Sequence, residues 1–359
     1  MTDARADNIR RLCELLARRQ PLVQIMEICG THTMAIARGG LRGLFPQTLR
    51  LVSGPGCPVC VTDQSYIDQA VYLALGPAGG GARPIVATYG DMVRVPGRLG
   101  SLGQARGAGA DVEIVYSVEN AVAIARKNPA RQVVFLGVGF ETTAPGTALA
   151  VKAARAGGVT NFSVLTAHKT VLPAMRALLA APDVRIDGFL CPGHVSVILG
   201  WGAYEPIARE HGRPCVVAGF DPAQVLSGIE AILSQLAEGQ ARAANVYASV
   251  SPGGNAVARA LLAEVFVPCD AVWRALGVIP GSGLAFRPEW AEFDAARRFA
   301  LPERESYEMP GCRCGDVICG RLLPRQCGLF ARACTPRTPV GPCMVSSEGA
   351  CAAAFQYER

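Results

Sequence analysis

Residues 132–156 read QVVFLGVGFETTAPGTALAVKAARA. The run at 132–138 is apolar without alternation, which is typical of a strand buried on both faces of a parallel sheet. A turn rich in Gly and Thr follows, and the Ala-rich stretch at 147–156 has helical periodicity. The stretch therefore predicts one strand–turn–helix unit.

The same unit recurs from residue 22 to about residue 240. Further apolar runs that predict strands lie at 22–28, 84–89, 112–116, 161–166, 187–190 and 214–218. Further helical patterns lie at 63–75, 118–127, 172–180 and 222–238. Strands that alternate with helices predict an α/β fold with parallel sheets covered on both faces. The length of the repeat predicts two such units, with a break near Asn128 and Pro129.

Composition and charge exclude several classes of protein. Half of the 359 residues are hydrophobic and 18% are charged, which excludes a disordered chain or a coiled coil. The net charge of +6 comes mainly from arginines scattered along the chain, so no nucleic-acid partner is expected. No apolar stretch of about 18 residues and no secretory signal is visible, so we expect a cytoplasmic protein without a membrane span.

The fourteen cysteines are unevenly placed, with seven in residues 1–311 and seven in residues 312–351. In a reducing compartment, clustered cysteines hold metals or perform redox chemistry more often than they form structural disulfides. The tail from residue 310 has little periodicity and is poor in core residues, so a bound metal centre is expected to stabilise it. Its thiolates suit either an iron–sulfur cluster or a zinc ion held by four cysteines, and spacing alone does not choose the ligands.

Polar residues gather at the carboxyl ends of the predicted strands, where ligands bind in open α/β sheets. Cys29 and His32 follow the first strand, Glu141 follows the run at 132–138, and His194 follows the run at 187–190. These positions predict a functional site at the strand ends.

Cys29 lies where a strand ends and a helix begins. The positive end of the helix dipole should lower the pKa of its thiol and favour thiolate, with His32 one turn further on as support. The alternative is a buried structural cysteine.

Cys57-Pro-Val-Cys60 is a CxxC motif preceded by glycines. Two thiols at this spacing can form a disulfide or share a metal. Because the chain has no second CxxC, a redox pair is favoured over half a zinc site. The alternative is that Gly and Pro only shape a turn.

Two further strand-end motifs have structural alternatives. Glu141, in Gly139-Phe-Glu-Thr-Thr-Ala-Pro145, could simply cap the helix that follows. His194, in Cys191-Pro-Gly-His194, could be a structural histidine rather than a ligand or proton carrier. The chain lacks a GxxxxGK[ST] loop, so nucleotide binding is weakly supported.

Five motifs in order resemble the HypD family of hydrogenase maturation proteins. They are Met26-Glu-Ile-Cys-Gly-Thr-His-Thr33, Gly54-Pro-Gly-Cys-Pro-Val-Cys60, Gly139-Phe-Glu-Thr-Thr-Ala-Pro145, Cys191-Pro-Gly-His-Val-Ser196 and Ser346-Ser-Glu-Gly-Ala-Cys351. The resemblance runs from about residue 20 to the end of the chain.

The resemblance implies a fold of two Rossmann-like parallel α/β domains that face each other across a cleft, with a third, Cys-rich domain that carries a [4Fe-4S] cluster. The implied divisions are an N-terminal helix at 1–20 that packs on the C-terminal domain, α/β domains at 21–128 and 129–245, and the iron–sulfur domain at 246–359. The implied function is a redox-active scaffold for assembling the Fe(CN)2CO unit of [NiFe]-hydrogenase, rather than an ordinary turnover enzyme.

Site roles and partners follow from the same resemblance. Cys29 is implied as an iron ligand shared with the N-terminal cysteine of HypC, which forms a stable complex with the scaffold. HypE is implied as the cyanide donor and the hydrogenase large subunit as the indirect recipient. Cys57 and Cys60 are implied as a dithiol that relays electrons. The implied cluster ligands are Cys312, Cys327, Cys334 and Cys351.

The sequence leaves three questions open. Cys314, Cys319 or Cys343 could replace one of the implied cluster ligands. His32, Glu141 and His194 are hypothesised to supply hydrogen bonds or protons to the diatomic iron ligands. The competing function is a stand-alone thiol–disulfide oxidoreductase that uses Cys57 and Cys60 beside a structural metal.

Overall fold

A computed structural model describes residues 2–76, 83–303 and 305–358, and the α/β class predicted from the sequence is confirmed. The strands are β1 Val23–Glu27, β2 Leu49–Ser53, β3 Ile85–Thr88, β4 Val112–Ile114, β5 Val133–Gly139, β6 Phe162–His168, β7 Gly188–Pro192, β8 Cys215–Ala218, β9 Ala243–Asn245, β10 Phe266–Trp273 and β11 Gly277–Phe286.

Most of the longer helices connect successive strands. The α-helices are α1 Thr2–Ala17, α2 Gly30–Arg38, α3 Pro58–Val61, α4 Gln64–Leu75, α5 Leu102–Gly107, α6 Val118–Lys127, α7 Ala144–Ala156, α8 Val171–Ala180, α9 Gly193–Leu199, α10 Glu205–His211, α11 Pro222–Glu238, α12 Ala256–Val265, α13 Ala295–Arg298, α14 Cys314–Ile318, α15 Pro342–Val345 and α16 Ala350–Tyr357. Within the described ranges, no helix is both long enough and apolar enough to cross a membrane.

Two parallel sheets form the framework. One has the order β2-β1-β7-β8-β9 and the other has the order β4-β3-β5-β6. Strand β5 is buried along its whole length, as the unbroken apolar run at 132–138 predicts. A third, two-stranded sheet is the antiparallel hairpin of β10 and β11.

The predicted division at residue 128 does not separate the two sheets. Strands β1 and β2 belong with β7–β9, while β3 and β4 belong with β5 and β6. The chain therefore leaves the first sheet after β2, completes the second, and returns at β7. The strand–helix repeat predicted the elements, but repeated units of one kind do not record which strands pair.

The N-terminal helix packs on α11, not on the Cys-rich C-terminal segment as the resemblance implied. Arg5 and Asn8 both donate to the carboxylate of Glu230 on α11, at 2.5 Å each. Ile9 and Cys13 on the apolar face of α1 join the core that covers one side of the five-stranded sheet. The apolar face of α1 thus packs against α11, the helix that covers this side of the sheet.

The predicted domain at 246–359 is also divided. The β10–β11 hairpin lies beside β6, where Thr166 Oγ1 donates to Leu284 O at 3.3 Å, and Lys152 on α7 pairs with Glu264 on α12 at 2.6 Å. This part of the chain completes the four-stranded layer. The Cys-rich segment, residues 305–358, instead packs on the strand ends of both sheets.

Candidate thiol-rich functional site

Cys29 connects β1 to α2 and is half-buried. The loop that carries Cys57 and Cys60 packs directly against it. Gly30 N–H donates to Gly56 O at 3.1 Å, and a Cβ on Gly56 would lie 2.2 Å from Cys29 N. On the other side, Thr31 Oγ1 donates to Glu348 Oε1 at 2.7 Å. Cys29 therefore lies between the CxxC loop and the Cys-rich segment.

The predicted lowering of the Cys29 pKa is wrong. Burial, and secondarily the nearby Glu348 carboxylate, raise the pKa of this thiol to about 11. The hydrogen bonds of the helix start act in the opposite direction but do not prevail. Cys29 is thus a thiol at neutral pH, and a bound metal ion would have to displace its proton.

His32 and His194 both pack against the ring of Phe220. The ring centroid of Phe220 lies 4.8 Å from that of His32 and 4.0 Å from that of His194. His32 is buried, and its Nε2–H donates to the carbonyls of Ala218 at 3.2 Å and Gly219 at 3.0 Å. His194 is exposed. Two predicted site residues from different strand ends are therefore neighbours.

The environment of His32 fixes its protonation state. Burial lowers the pKa of His32 to about 4, so the imidazole is neutral at pH 7. Because Nε2 carries the proton, Nδ1 is the lone-pair nitrogen, and this buried atom has no hydrogen-bond partner among the residues that the structure describes. His32 is equipped to accept a hydrogen bond at Nδ1, not to deliver a proton as an imidazolium.

Glu141 lies apart from these histidines, at the start of the β5–α7 connection. Its Oε1 accepts from Val171 N–H, at the first residue of α8, at 2.9 Å. Its Oε2 is buried, and no hydrogen bond reaches it from the described part of the chain. Burial raises the pKa of Glu141 to about 7. The buried Tyr204 on the five-stranded side is close enough for the Glu141 charge to raise its pKa further.

The CxxC motif forms the short helix α3, which Cys57 caps. Cys57 Sγ accepts from Cys60 N–H at 3.2 Å and donates to Ser346 Oγ at 3.3 Å. Arg274, from the β10–β11 turn, donates through Nε to Cys60 O at 2.8 Å. Cys57 and Cys60 are 4% and 0% exposed. The two thiols are thus held inside the protein, between the hairpin and the Cys-rich segment.

A row of thiols leads from this motif into the Cys-rich segment. Successive thiols lie close enough to interact, Cys60 with Cys343, Cys343 with Cys314, and Cys314 with Cys312. The sequence left Cys314 and Cys343 only as alternative cluster ligands, and their position in this row was missed. Cys314 follows Cys312 by two residues and Cys343 lies in an apolar segment, so spacing gave no signal that they connect Cys60 to the other cysteines.

The row ends at a cavity lined with sulfur. Apart from Gly341, its other lining residues are the apolar Leu329, Phe330 and Met344. The cysteines that line it are Cys312, Cys314, Cys327, Cys334, Cys343 and Cys351. Around Cys351, after burial as the main cause, the charges of Cys312, Cys334 and Cys327 raise the thiol pKa. The four residues implied as cluster ligands are therefore mutual neighbours, and Cys319 lies outside this lining.

Comparison with known proteins matches this chain along almost its whole length. The family model HypD, described as "Hydrogenase formation hypA family", matches residues 4–358. The chain belongs to the HypD family. Hydrogenase maturation factor HypD of Escherichia coli (strain K12) is 45% identical over 339 residues, covering 94% of this chain and 90% of that protein.

Other organisms carry relatives that match over similar shares of their length. Hydrogenase maturation factor HypD of Azotobacter vinelandii is 46% identical, covering 94% of this chain and 89% of its own. A putative hydrogenase expression/formation protein of Methanocaldococcus jannaschii is 40% identical, covering 98% and 96%. Among solved structures, D-threo-3-hydroxyaspartate dehydratase from Delftia sp. HT23 covers 89% of this chain and 90% of its own at 15% identity, with a TM-score of 0.13, too low to indicate a common fold.

The sulfur-lined cavity of this HypD-family chain fits an iron–sulfur cluster in its chemistry. Thiolates are the donors that such clusters use, and a Cβ on Gly341 would lie 2.4 Å from Cys312 Sγ, so only glycine leaves room beside that sulfur. Among the described residues, no three His, Cys, Asp or Glu side chains converge as ligands of a single metal ion. Six thiols line the cavity together.

Proposed function

We propose that this protein is a hydrogenase maturation factor that scaffolds assembly of the Fe(CN)2CO unit of [NiFe]-hydrogenase together with HypC. Cys29 would bind the iron of that unit as cargo, shared with a cysteine of HypC, and HypE would donate cyanide from a thiocyanate. Membership of the HypD family and the names of the relatives support the maturation role.

The observation that carries the redox part of the proposal is the continuous row of thiols from Cys57 to the sulfur-lined cavity. A [4Fe-4S] cluster held there by Cys312, Cys327, Cys334 and Cys351 would store and supply single electrons when bound. Cys343 and Cys314 both line the cavity, and Cys343 also lies next to Cys60. Their place suits a path between a cluster and the dithiol.

The chemistry of cyanide release requires such a path. Breaking the S–CN bond of a thiocyanate to give a thiol and hydrogen cyanide consumes two electrons and two protons. Oxidising the Cys57–Cys60 dithiol to a disulfide releases two electrons and two protons. One dithiol therefore balances one cyanide, and the disulfide must be reduced again before the next.

A stand-alone thiol–disulfide oxidoreductase is less well supported. An enzyme that acts on substrate disulfides needs an accessible nucleophilic thiol, whereas Cys57 is 4% exposed and Cys60 is fully buried. Cys29 is half-buried and therefore more accessible to a partner protein than Cys57 or Cys60.

The test compares three variants after anaerobic purification of the full chain. We expect Cys343→Ser to keep the iron and sulfide content and the broad visible absorbance of the wild type, but to lower hydrogenase maturation in cells at least tenfold. Cys327→Ser should lose iron and sulfide. Cys269→Ser, a half-buried thiol on the β10–β11 hairpin, is the control and should retain both properties.

Two results would contradict the proposal. Normal maturation by Cys343→Ser would exclude the row of thiols as an electron path. Turnover of small disulfides by the isolated protein, with zinc and no iron or sulfide in the tail, would favour the stand-alone oxidoreductase.

A further inference from the structure

The thiols that the proposed redox step uses are buried, so their protons have no direct contact with water. Oxidation of the Cys57–Cys60 pair releases two protons and reduction takes up two. Cys57 Sγ donates its hydrogen bond to Ser346 Oγ at 3.3 Å. Ser346 is itself 2% exposed. A proton that leaves Cys57 must therefore pass through Ser346 or through the protein interior.

Ser346 continues the hydrogen-bond chain toward the surface. Its hydroxyl donates to Asp91 Oδ2 at 3.1 Å, and Asp91 is half-buried. The same carboxylate oxygen also accepts from Ser347 N–H at 2.9 Å and from Ser347 Oγ at 3.1 Å, and Ser347 is exposed. The chain of atoms from Cys57 Sγ through Ser346 Oγ to Asp91 Oδ2 is thus continuous from a buried thiol to a solvent-facing carboxylate.

We infer that Ser346 and Asp91 carry the proton of the Cys57 thiol to the protein surface when the Cys57–Cys60 dithiol is oxidised, and return it on reduction. As the bond between the Cys57 and Cys60 sulfurs forms and two electrons pass to the thiocyanate, whose S–CN bond breaks, the Cys57 proton moves to Ser346 Oγ while the Ser346 hydroxyl proton moves to Asp91, which releases it to water. Ser346 touches the reacting sulfur, and Asp91 is a positioning residue that acts through it. This inference rests on the redox role proposed for the dithiol.

The residues come from three separate parts of the molecule. Cys57 follows β2 of the five-stranded sheet, and Asp91 follows β3 of the four-stranded sheet. Ser346 lies at the C-terminal end of α15 in the Cys-rich segment. The other titratable groups around the chain are Cys60 and Cys343 on the sulfur side, and Arg94 and Glu348 on the carboxylate side. Arg94 donates to Val345 O at 3.3 Å, and Glu348 N–H donates to Ser346 Oγ at 3.2 Å.

Three variants separate proton transfer from structure. Asp91→Asn keeps the shape of the side chain but removes the proton acceptor, and Ser346→Ala breaks the chain in the middle. Ser347→Ala is the matched control, because it removes a hydrogen bond to the same Asp91 oxygen without interrupting the path. Asp91→Glu restores a carboxylate and tests rescue.

The measurement uses the full-length reduced protein with hydrogen peroxide as oxidant, because it is far smaller than the substrate disulfides that the burial of Cys57 and Cys60 keeps out. The Cys57 and Cys60 thiols become one disulfide and the peroxide becomes two molecules of water. Acid quenching and mass spectrometry of the peptide that holds both cysteines give the rate between pH 6 and pH 9. Modification of Cys269 in the same samples serves as an internal reference.

We expect Asp91→Asn and Ser346→Ala to slow disulfide formation at least tenfold at pH 7, in line with typical contributions of about 10²-fold or more from general acid–base catalysis. The deficit should shrink toward pH 9, because hydroxide then removes the proton. Ser347→Ala should stay within twofold of the wild type, and Asp91→Glu should recover much of the rate.

Equal rates in all variants, or a deficit that is the same at every pH, would overturn the proton path, since a structural defect has no reason to vanish at high pH. Failure of the wild type to form this disulfide would overturn both the path and the redox role. If instead the relay variants behave as expected but Cys57→Ser matures hydrogenase normally, the path stands and the proposed role of the dithiol in maturation fails.

Discussion

Glu141 is a buried carboxyl group whose surroundings favour its protonated form, because burial raises its pKa to about 7. Its folded-state pKa lies above the unfolded value of 4.5. The free energy that the protonated Glu141 contributes to stability is therefore fully present below pH 4.5 and is lost as the pH rises through 7. We expect the wild type to lose about 2 to 3 kcal/mol more than Glu141→Gln between pH 5 and pH 8. Urea unfolding of both proteins at the two pH values measures this difference.

The glutamine variant keeps the acceptor for Val171 N–H, which makes it the matched change for charge alone. A pH dependence identical in both proteins would show that Glu141 is ionised in the folded state throughout. Combined with a maturation assay, the same variant also tests whether the acid form is needed for function.

His168, at the end of β6, should show the opposite pH dependence. Its Nε2 is hydrogen-bonded to Thr147 Oγ1 at 2.9 Å, and burial lowers its pKa to about 4. Because the unfolded histidine binds a proton below pH 6.5 and the folded one does not, stability falls as the pH drops from 6.5 toward 4. We expect His168→Gln to lose about 2 kcal/mol less than the wild type between pH 8 and pH 5.

The check on His168 is again the free energy of unfolding in urea, at pH 8 and pH 5. Glutamine can still reach Thr147, so the two proteins differ mainly in the titrating ring. If the variant is destabilised by acid as much as the wild type, His168 is not the neutral buried group described above.

Sequence reasoning identified Cys29, His32 and Glu141 as candidate site residues but not their charge states. The position of Cys29 at a helix start was read correctly, while burial and Glu348, which lies more than three hundred residues away in sequence, reverse the expected direction of its pKa. The placement of His32 beside His194 followed from strand ends that meet at one sheet edge. A pattern records which residues end a strand, but not how much water reaches them.

At the scale of elements, two glycines fix how closely the CxxC loop and the Cys-rich segment approach Cys29. A Cβ on Gly56 would lie 2.2 Å from Cys29 N, and one on Gly30 would lie 2.5 Å from Glu348 Cβ. A Cβ placed on nearby Gly43 would have no other described atom within 4 Å. Close backbone approach, rather than turn flexibility, is what these two glycines supply.

We therefore expect Gly56→Ala to destabilise the protein by about 1 to 3 kcal/mol, since the β1–α2 junction or the CxxC loop must move. Hydrogenase maturation should fall with it, because Cys29 and Cys57 lose their relative placement. Gly43→Ala is the control and should leave both unchanged within error. Thermal unfolding and a maturation assay in cells measure the two effects, and an unaffected Gly56→Ala would disprove the close packing.

The elements that the sequence missed are those without an apolar run of their own. Strand β2 at 49–53 carries an exposed arginine, β9 has three residues, and the β10–β11 hairpin has only part of its length buried. Such strands are defined by their pairing partners, which are distant in sequence, and a local pattern does not contain that information.

At the scale of the whole molecule, the two sheets are interleaved along the chain, and this has a measurable consequence. A cut between the exposed Pro129 and Ala130 would separate β3 from β5 in one sheet and β1 from β7 in the other. Each of the two sheets, and the buried core around it, would therefore contain strands from both fragments. Burial of that much apolar surface holds fragments together without a covalent link.

We expect a protein with a specific protease site inserted at 129–130 to stay assembled after complete cleavage. Its two fragments should elute together at the volume of the intact chain in size-exclusion chromatography, and should separate only in denaturant. The first sequence-based division, with independent domains on either side of residue 128, predicts separation in native buffer. Co-elution would show that the strand ends which hold Cys29 and Asp91 are positioned by both halves of the chain at once, so the thiol site is a property of the whole fold.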